Sequence, residues 1–203
     1  MDRKKRAALF CILIGIVCLM IPVYYHFTGI RDTDRLIEDF TKQVEEKQDE
    51  ETTDEEEEQT SISEEDAAIF SEGDVIAILE IASLGIRYPV VEGATSANLN
   101  VGIAHLPETA GIGQTGNCVL AGHNGSRHGT FFTHLNEIQK GDEVSLMNES
   151  GETFRYEVTD FYVVGPYDNS IKDQGEEKEL TLFTCANKGS MRFVVKCILR
   201  EDE

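Results

Sequence analysis

The chain is short of positive charge. Its 203 residues hold 18 Lys and Arg against 38 Asp and Glu, a formal net charge of −20. That balance repels phosphate backbones and anionic lipid headgroups, so the folded part has no nucleic-acid partner. Long apolar runs are equally scarce. Only Ala7 to Phe27 runs 21 residues without a formal charge at pH 7. No small-x-small cleavage pattern follows that run, which argues against a removable signal peptide. The stretch "EEKQDEETTDEEEEQT" lacks any apolar residue. It has nothing to bury against the entropy of ordering and reads as disorder.

What is present divides the chain into parts. Residues 1–6 form a basic tail carrying Arg3, Lys4, Lys5 and Arg6. Residues 7–27 are long and apolar enough for a helix that spans a bilayer. Positive flanks stay on the cytoplasmic side, so the rest of the chain is expected outside the cell, on a single-pass plasma-membrane anchor. Residues 28–72 read as an acidic, largely disordered spacer, and 32–66 carry a net charge of −14. Inside it, Leu36, Ile37, Phe40 and Val44 lie at helical spacing, which predicts one short amphipathic helix.

Residues 73–203 carry the folded domain. Seven short runs read as strands: 75–81, 86–91, 117–123, 143–148, 153–164, 179–185 and 192–200. Helical turns are expected only at 95–100 and 129–138. So many short strands in so few residues point to an all-β closed barrel or a sandwich.

Five cysteines are present. Cys11 and Cys18 belong to the apolar run. Cys118 and Cys197 lie inside apolar strands and read as small buried hydrophobes, or as a disulfide if their strands are neighbours. Cys185 differs. It ends the strand "ELTLFTC" and precedes the polar loop "ANKGS". A strand-end thiol in a polar setting is a candidate nucleophile. Such a nucleophile needs a proton-transfer partner and a cation for the developing oxyanion. His123 ends "CVLAGH", after a glycine that allows close backbone approach. His105, His128 and His134 fall in loops or a short helix, with nothing to single them out. Arg192 opens the strand after Cys185, and its guanidinium offers a fixed fork of donors. The competing reading makes Cys185 structural and Arg192 a surface residue.

The segments "GIAHLPETAGIGQTGNCVLAGHN", "GTFFTHLNEIQKGDEV" and "KELTLFTC", with the arginine that follows, resemble the sortases. These are membrane-anchored cysteine transpeptidases of Gram-positive bacteria. The resemblance covers about 74 to 200. It implies an eight-stranded β-barrel with Cys185 as nucleophile, His123 and Arg192 as its catalytic partners, and Thr184 shaping the oxyanion site. It also implies partners: secreted proteins bearing a Leu-Pro-x-Thr-Gly sorting signal, and an amine of a peptidoglycan precursor as acceptor. No cofactor is implied. Asn124 departs from the Arg or Thr more usual after "GH".

Class can be narrowed further. No proline follows an aspartate, so the Asp-Pro lid of pilin-polymerising members is missing. Only "DNSIKDQGEEKE" fills the gap where class B members insert a long helix. A class A or D enzyme is expected. Glu108 is the only acid in the loop before the histidine strand, too few for a calcium site, so no metal is expected. "LPETA" at 106–110 imitates a sorting signal; it lacks the apolar tail and basic end of a real one and reads as a loop. The rival readings are a membrane-tethered, non-enzymatic β-barrel binding module, a hydrolytic peptidase, and a pilin-polymerising sortase without a lid.

Overall fold

A computed structural model describes residues 12–13, 15–17, 19–20, 33–48, 70–125 and 131–200. Eight strands close into a barrel in the order β1-β2-β3-β4-β7-β8-β6-β5. They are β1 (Val75–Ile81), β2 (Ile86–Glu92), β3 (Ile103–His105), β4 (Gly116–Gly122), β5 (Glu143–Asn148), β6 (Thr153–Val164), β7 (Lys178–Ala186) and β8 (Met191–Leu199). Two neighbouring pairs, β2/β3 and β4/β7, are parallel, and both need a crossover connection. Closure removes every sheet edge, which rules out the sandwich.

Alternation along each strand sends one set of side chains inward. Leu79, Leu120, Leu146, Tyr156, Leu180 and Leu182 fill the interior, with Phe131, Phe132 and Leu135 among them. On β4 every residue is buried. Its inner face meets this core, while Val119 and Ala121 on its outer face pack with Leu106, Leu99 and Phe183. The outside of β4 and β7 is therefore covered by loops.

The seven predicted strands fall on β1, β2 and β4 to β8. The eighth, β3, is three residues long, too short to show a period of two. The predicted helical turns are a helix at Ser96–Leu99, capped by the Thr95 side chain accepting from Asn98 N, and a 3-10 turn at Leu135–Glu137.

The N-terminal expectations need one correction. Residues 33–48 are helical (α1), as the spacing predicts, but α1 is no part of a free spacer. Phe40 and Val44 are buried against Ile78 on β1, flanked by Val75 and Met147. The stripe that makes the helix amphipathic is the stripe that docks it. Lys47 faces Glu149, 3.5 Å away, and Thr33 Oγ1 donates to Val101 O at 3.0 Å. Residues 49–69 and 1–6 lie outside the described residues. Among the described residues no helix is long and apolar enough to cross a membrane. Seven residues between 12 and 20 are helical and exposed, and the remainder of 7–27 is outside the described set.

Candidate active site

Strand register brings the predicted residues together. β4 and β7 run parallel with Gly122 opposite Thr184, so His123 and Cys185 come next, side by side. β7 and β8 are antiparallel with Cys185 opposite Arg192. Imidazole, thiol and guanidinium thus occupy one row across three adjacent strands. Cys185 shares the parity of Phe183, which packs outside the barrel wall, so its thiol is on the outer face. All three residues are partly exposed.

Local devices hold the row. Thr184 is buried, and its Oγ1 donates to Gly122 O at 2.7 Å. Its hydroxyl is thereby a tie between β4 and β7 immediately before His123 and Cys185. The Thr184 hydroxyl proton is thus committed to the backbone of β4. Asn124 Nδ2 donates to Cys185 O at 2.7 Å, a second tie just beyond the row. The departure after "GH" is therefore a structural element of the site.

On the far side of His123 the chain is forced. Phe131 has φ of 38°, an uncommon conformation for a bulky residue and a local strain. It is fixed by a bridge to Asn124, by Phe132 N donating to His123 O at 3.0 Å, and by an edge-to-face ring contact with His123 at 6.3 Å. Gly122 makes this close approach feasible. A Cβ there would meet the Phe132 ring at 2.5 Å.

The β7–β8 connection is equally tight. Asn187, Lys188 and Gly189 have φ of 49°, 59° and 92° in succession. Arg192 Nη1 donates to Gly189 O and Met191 O, both at 3.0 Å. The turn so holds one arm of the guanidinium and leaves Nη2 and Nε without a hydrogen bond among the described residues.

A groove of about 350 Å³ runs along the outer face from Arg192. Phe183 forms its floor. Leu106, Pro107 and Glu108 of the β3–β4 loop make one wall, and Asn169, Ile171 and Lys172 of the β6–β7 loop make the other. Lys172 Nζ donates to Glu108 Oε1 at 2.8 Å, joining the walls. That hydrogen bond holds the Glu108 carboxyl below the usual carboxylate range. The "LPETA" stretch is built into the first wall, with Leu106 buried and Thr109 hydrogen-bonded to Leu106 O and Val119 N. It is not presented as a substrate.

The other cysteines lie elsewhere. Cys118, Leu180 and Cys197 form a row inside the barrel. With Leu180 between them, the two cysteines are two strand spacings apart, roughly 9.6 Å between Cα atoms, beyond the reach of a disulfide at about 7 Å. Both thiols are free, which removes the disulfide alternative. Burial pushes the Cys118 thiol up and the Cys197 thiol up to about 12. His105 also needs a correction. It is not a loop residue but the last residue of β3, buried and 2.8 Å from Glu92. His134 is exposed and pairs with Glu137, away from the row, and His128 lies outside the described residues.

A closed barrel with a thiol, an imidazole and a guanidinium in one row beside a groove defines a class of protein. The sortase-domain family matches residues 79–200, and the chain belongs to that family. It is 33% identical over 130 residues to sortase A of Bacillus anthracis, covering 63% of this chain and 61% of the relative. With sortase D of Bacillus subtilis (strain 168) it shares 35% over 114 residues, covering 56% and 55%. The chain thus spans less than two thirds of these relatives. A Clostridium perfringens sortase D5 transpeptidase superimposes with a TM-score of 0.64 at 29% identity, over 85% of this chain and 98% of that one. Sortase A from Corynebacterium diphtheriae gives 0.62 at 30% identity, over 66% and 64%.

Proposed function

We propose that the protein is a class A or D type cysteine transpeptidase that cleaves an LPxTG-like sorting signal between Thr and Gly. The observation that carries this reading is the single row His123–Cys185–Arg192 at the end of an apolar-floored groove. The Cys185 thiolate attacks the threonine carbonyl, forming a C–S bond and a tetrahedral oxyanion. Arg192 offers its two uncommitted nitrogens to that oxygen, where fixed donors count most as charge develops. As the C–N bond breaks, His123 gives a proton to the departing glycine amine. A thioester remains on Cys185. An incoming amine then attacks, His123 takes its proton, and the thiolate leaves. Substrate and acceptor are a secreted protein bearing the signal and an amine of a cell-wall precursor.

The anchor belongs to the same reading. Ala7 to Phe27, preceded by Arg3 to Arg6, would hold the barrel at the outer face of the plasma membrane, where an exported substrate and a lipid-linked acceptor meet. Fractionation with alkaline extraction should leave the chain in the membrane.

The test of activity is a panel of Leu-Pro-x-Thr-x peptides incubated with the detergent-solubilised protein, read by mass spectrometry with and without an added amine. Transfer product in the amine arm supports the transpeptidase. Acid product alone in both arms would make it a hydrolase. No cleavage, together with no selective alkylation of Cys185, would return the barrel to a binding module.

A further inference from the structure

One buried ionisable group is unused by this chemistry. His105 and Glu92 end the parallel strands β3 and β2, opposite one another. Their side chains are 6% and 10% exposed, and His105 Nδ1 lies 2.8 Å from Glu92 Oε2. The other ring nitrogen, Nε2, lies 3.1 Å from Ala110 O and 3.3 Å from Thr109 Oγ1. The Thr109 hydroxyl already donates to Leu106 O at 2.7 Å, so toward His105 it can only accept. Carboxylate and carbonyl oxygens accept and never donate. Both ring nitrogens therefore have a partner inside the protein, Glu92 on one side and the Ala110 carbonyl on the other. With both nitrogens committed inside the protein, this is not a second catalytic base.

Its position says what it acts on. His105 is registered opposite Leu120, three residues before His123 and on the inner face of the wall, and with Glu92 it borders a cavity lined by Phe70, Ile112 and Glu149. The next three residues, Leu106, Pro107 and Glu108, cross to the outer face and form a wall of the groove. His105 grips this loop from within at Thr109 and Ala110. The charged or titratable groups around the pair are Glu92 from β2, Glu108 from the loop, Cys118 from β4 and Glu149 beside the cavity.

We propose that His105, clasped between Glu92 and the Ala110 carbonyl, is a positioning residue that fixes the 106–110 wall of the groove and thereby sets substrate affinity. The inference rests on the transpeptidase reading for its kinetic arm only. The wall contacts the peptide before and during reaction alike, so its loss acts as lost uniform binding. Removing one partner of a buried hydrogen-bonded pair leaves the other unsatisfied, so the loop rather than the reaction centre absorbs the change.

The experiment has two arms. First, the full-length protein with 15N-labelled histidine is examined by NMR at neutral pH. A His105 ring N–H held in a buried hydrogen bond should give a sharp, slowly exchanging signal, and a ring N–H that exchanges freely with water would overturn the proposal. Second, His105→Gln and Glu92→Gln are assayed on one LPxTG peptide. KM should rise about tenfold with kcat within about twofold, while the iodoacetamide rate at Cys185 stays at the wild-type value. A fall in kcat with KM unchanged, or a slowed alkylation of Cys185 in folded variants, would overturn it. Should the variants not fold, hydrogen exchange of the wild type decides. The Leu106 and Thr109 amides should be protected as strongly as the strands, and rapid exchange there refutes the clasp. If the wild type cleaves no such peptide, the activity reading fails while the NMR and exchange measurements still judge the clasp.

Discussion

Two rows of side chains cross the same three strands and have opposite fates. Cys118, Leu180 and Cys197 form one; His123, Cys185 and Arg192 form the other. The second lies five residues along from the first on every strand: 118 to 123, 180 to 185, 197 to 192. An odd offset reverses the face, and at about 3.3 Å per residue the rows are roughly 17 Å apart. The first row is sealed in the core, where desolvation raises its thiols. The second is half exposed at a groove. Two of the three described thiols are thus inert packing, and only strand parity and position along the strand separate them from the third.

The largest expected effect comes from exchanging the roles of the rows. Cys185→Ala should abolish both cleavage and transfer, since no other group here can form the thioester, and should leave the urea midpoint nearly unchanged. Cys118→Ala should do the reverse, keeping activity and losing about 1 kcal/mol or somewhat more of stability from a small cavity. Peptide turnover and urea titration on both variants decide. Equal loss of turnover in two well-folded variants would end the distinction between the rows.

Next in size is Arg192→Lys. Lysine keeps the charge and loses the planar fork that the 187–190 turn presents. If the fork holds the oxyanion, kcat should fall about a hundredfold, about 3 kcal/mol in the barrier, with KM moved far less. Arg200→Lys is the control. Arg200 is exposed and ion-pairs with Glu157 at 2.6 Å, at the far end of β8. Such a surface pair is worth about 1 kcal/mol or less, and its kcat should stay near wild type. Near-normal kcat in the Arg192 variant would remove Arg192 from the electrostatic step.

The inner row makes a prediction about alkali. A thiol raised in the folded state stays neutral at a pH where the unfolded chain has already ionised. Cys197, with an ordinary value of 9.0 raised to about 12, therefore contributes stability that is intact below about pH 9 and lost as pH climbs towards 12. Cys118 is raised in the same sense. Each should steepen the loss by up to about 1.4 kcal/mol per pH unit. Urea midpoints between pH 8 and 11 should fall more steeply for the wild type than for Cys197→Ala. Parallel curves would mean that the thiol is not sealed in the native state.

The outer row was legible in the sequence because each of its members ends or opens an apolar run. A strand-end cysteine, a histidine after glycine and an arginine opening the next strand mark positions where a sheet gives way to loop. What pairs with what was not legible. Nothing in "GIAHLPE" tells that His105 closes a three-residue strand and meets Glu92, thirteen residues back, through a parallel pairing. The Asn124 tie was hidden for the same reason, its partner Cys185 lying 61 residues away, whereas the Phe131 strain is a backbone angle that no residue pattern marks. "GTFF" gave a faint signal, two aromatics beside a loop, that could have been read as packing near the histidine. The docking of α1 was half visible. Its apolar stripe was clear, but an amphipathic helix in an acidic segment does not say which surface it covers.

The smallest expected effect concerns a segment outside both rows. Residues 49–69 number 21 and lie between α1 and β1 in the chain, and the described residues that flank them, Gln48 and Phe70, both meet the 148–151 turn. The Gln48 side chain lies against Gly151, and Phe70 shares a cavity with Glu149 and Ser150. The closing distance is therefore short, while the connection is long and strongly acidic. Loop-closure entropy grows by about 0.6 kcal/mol for each doubling of length. Replacing 49–69 with a link of about five Gly and Ser residues removes two doublings. The shortened chain should be more stable by about 1 kcal/mol, with kcat/KM within about twofold of the parent, because both rows lie on strands that the replacement leaves in place. A raised urea midpoint with unaltered peptide turnover is the expected result. A fall in turnover would instead make the acidic stretch a working part of the groove, and a lowered midpoint would mean that it carries contacts of its own.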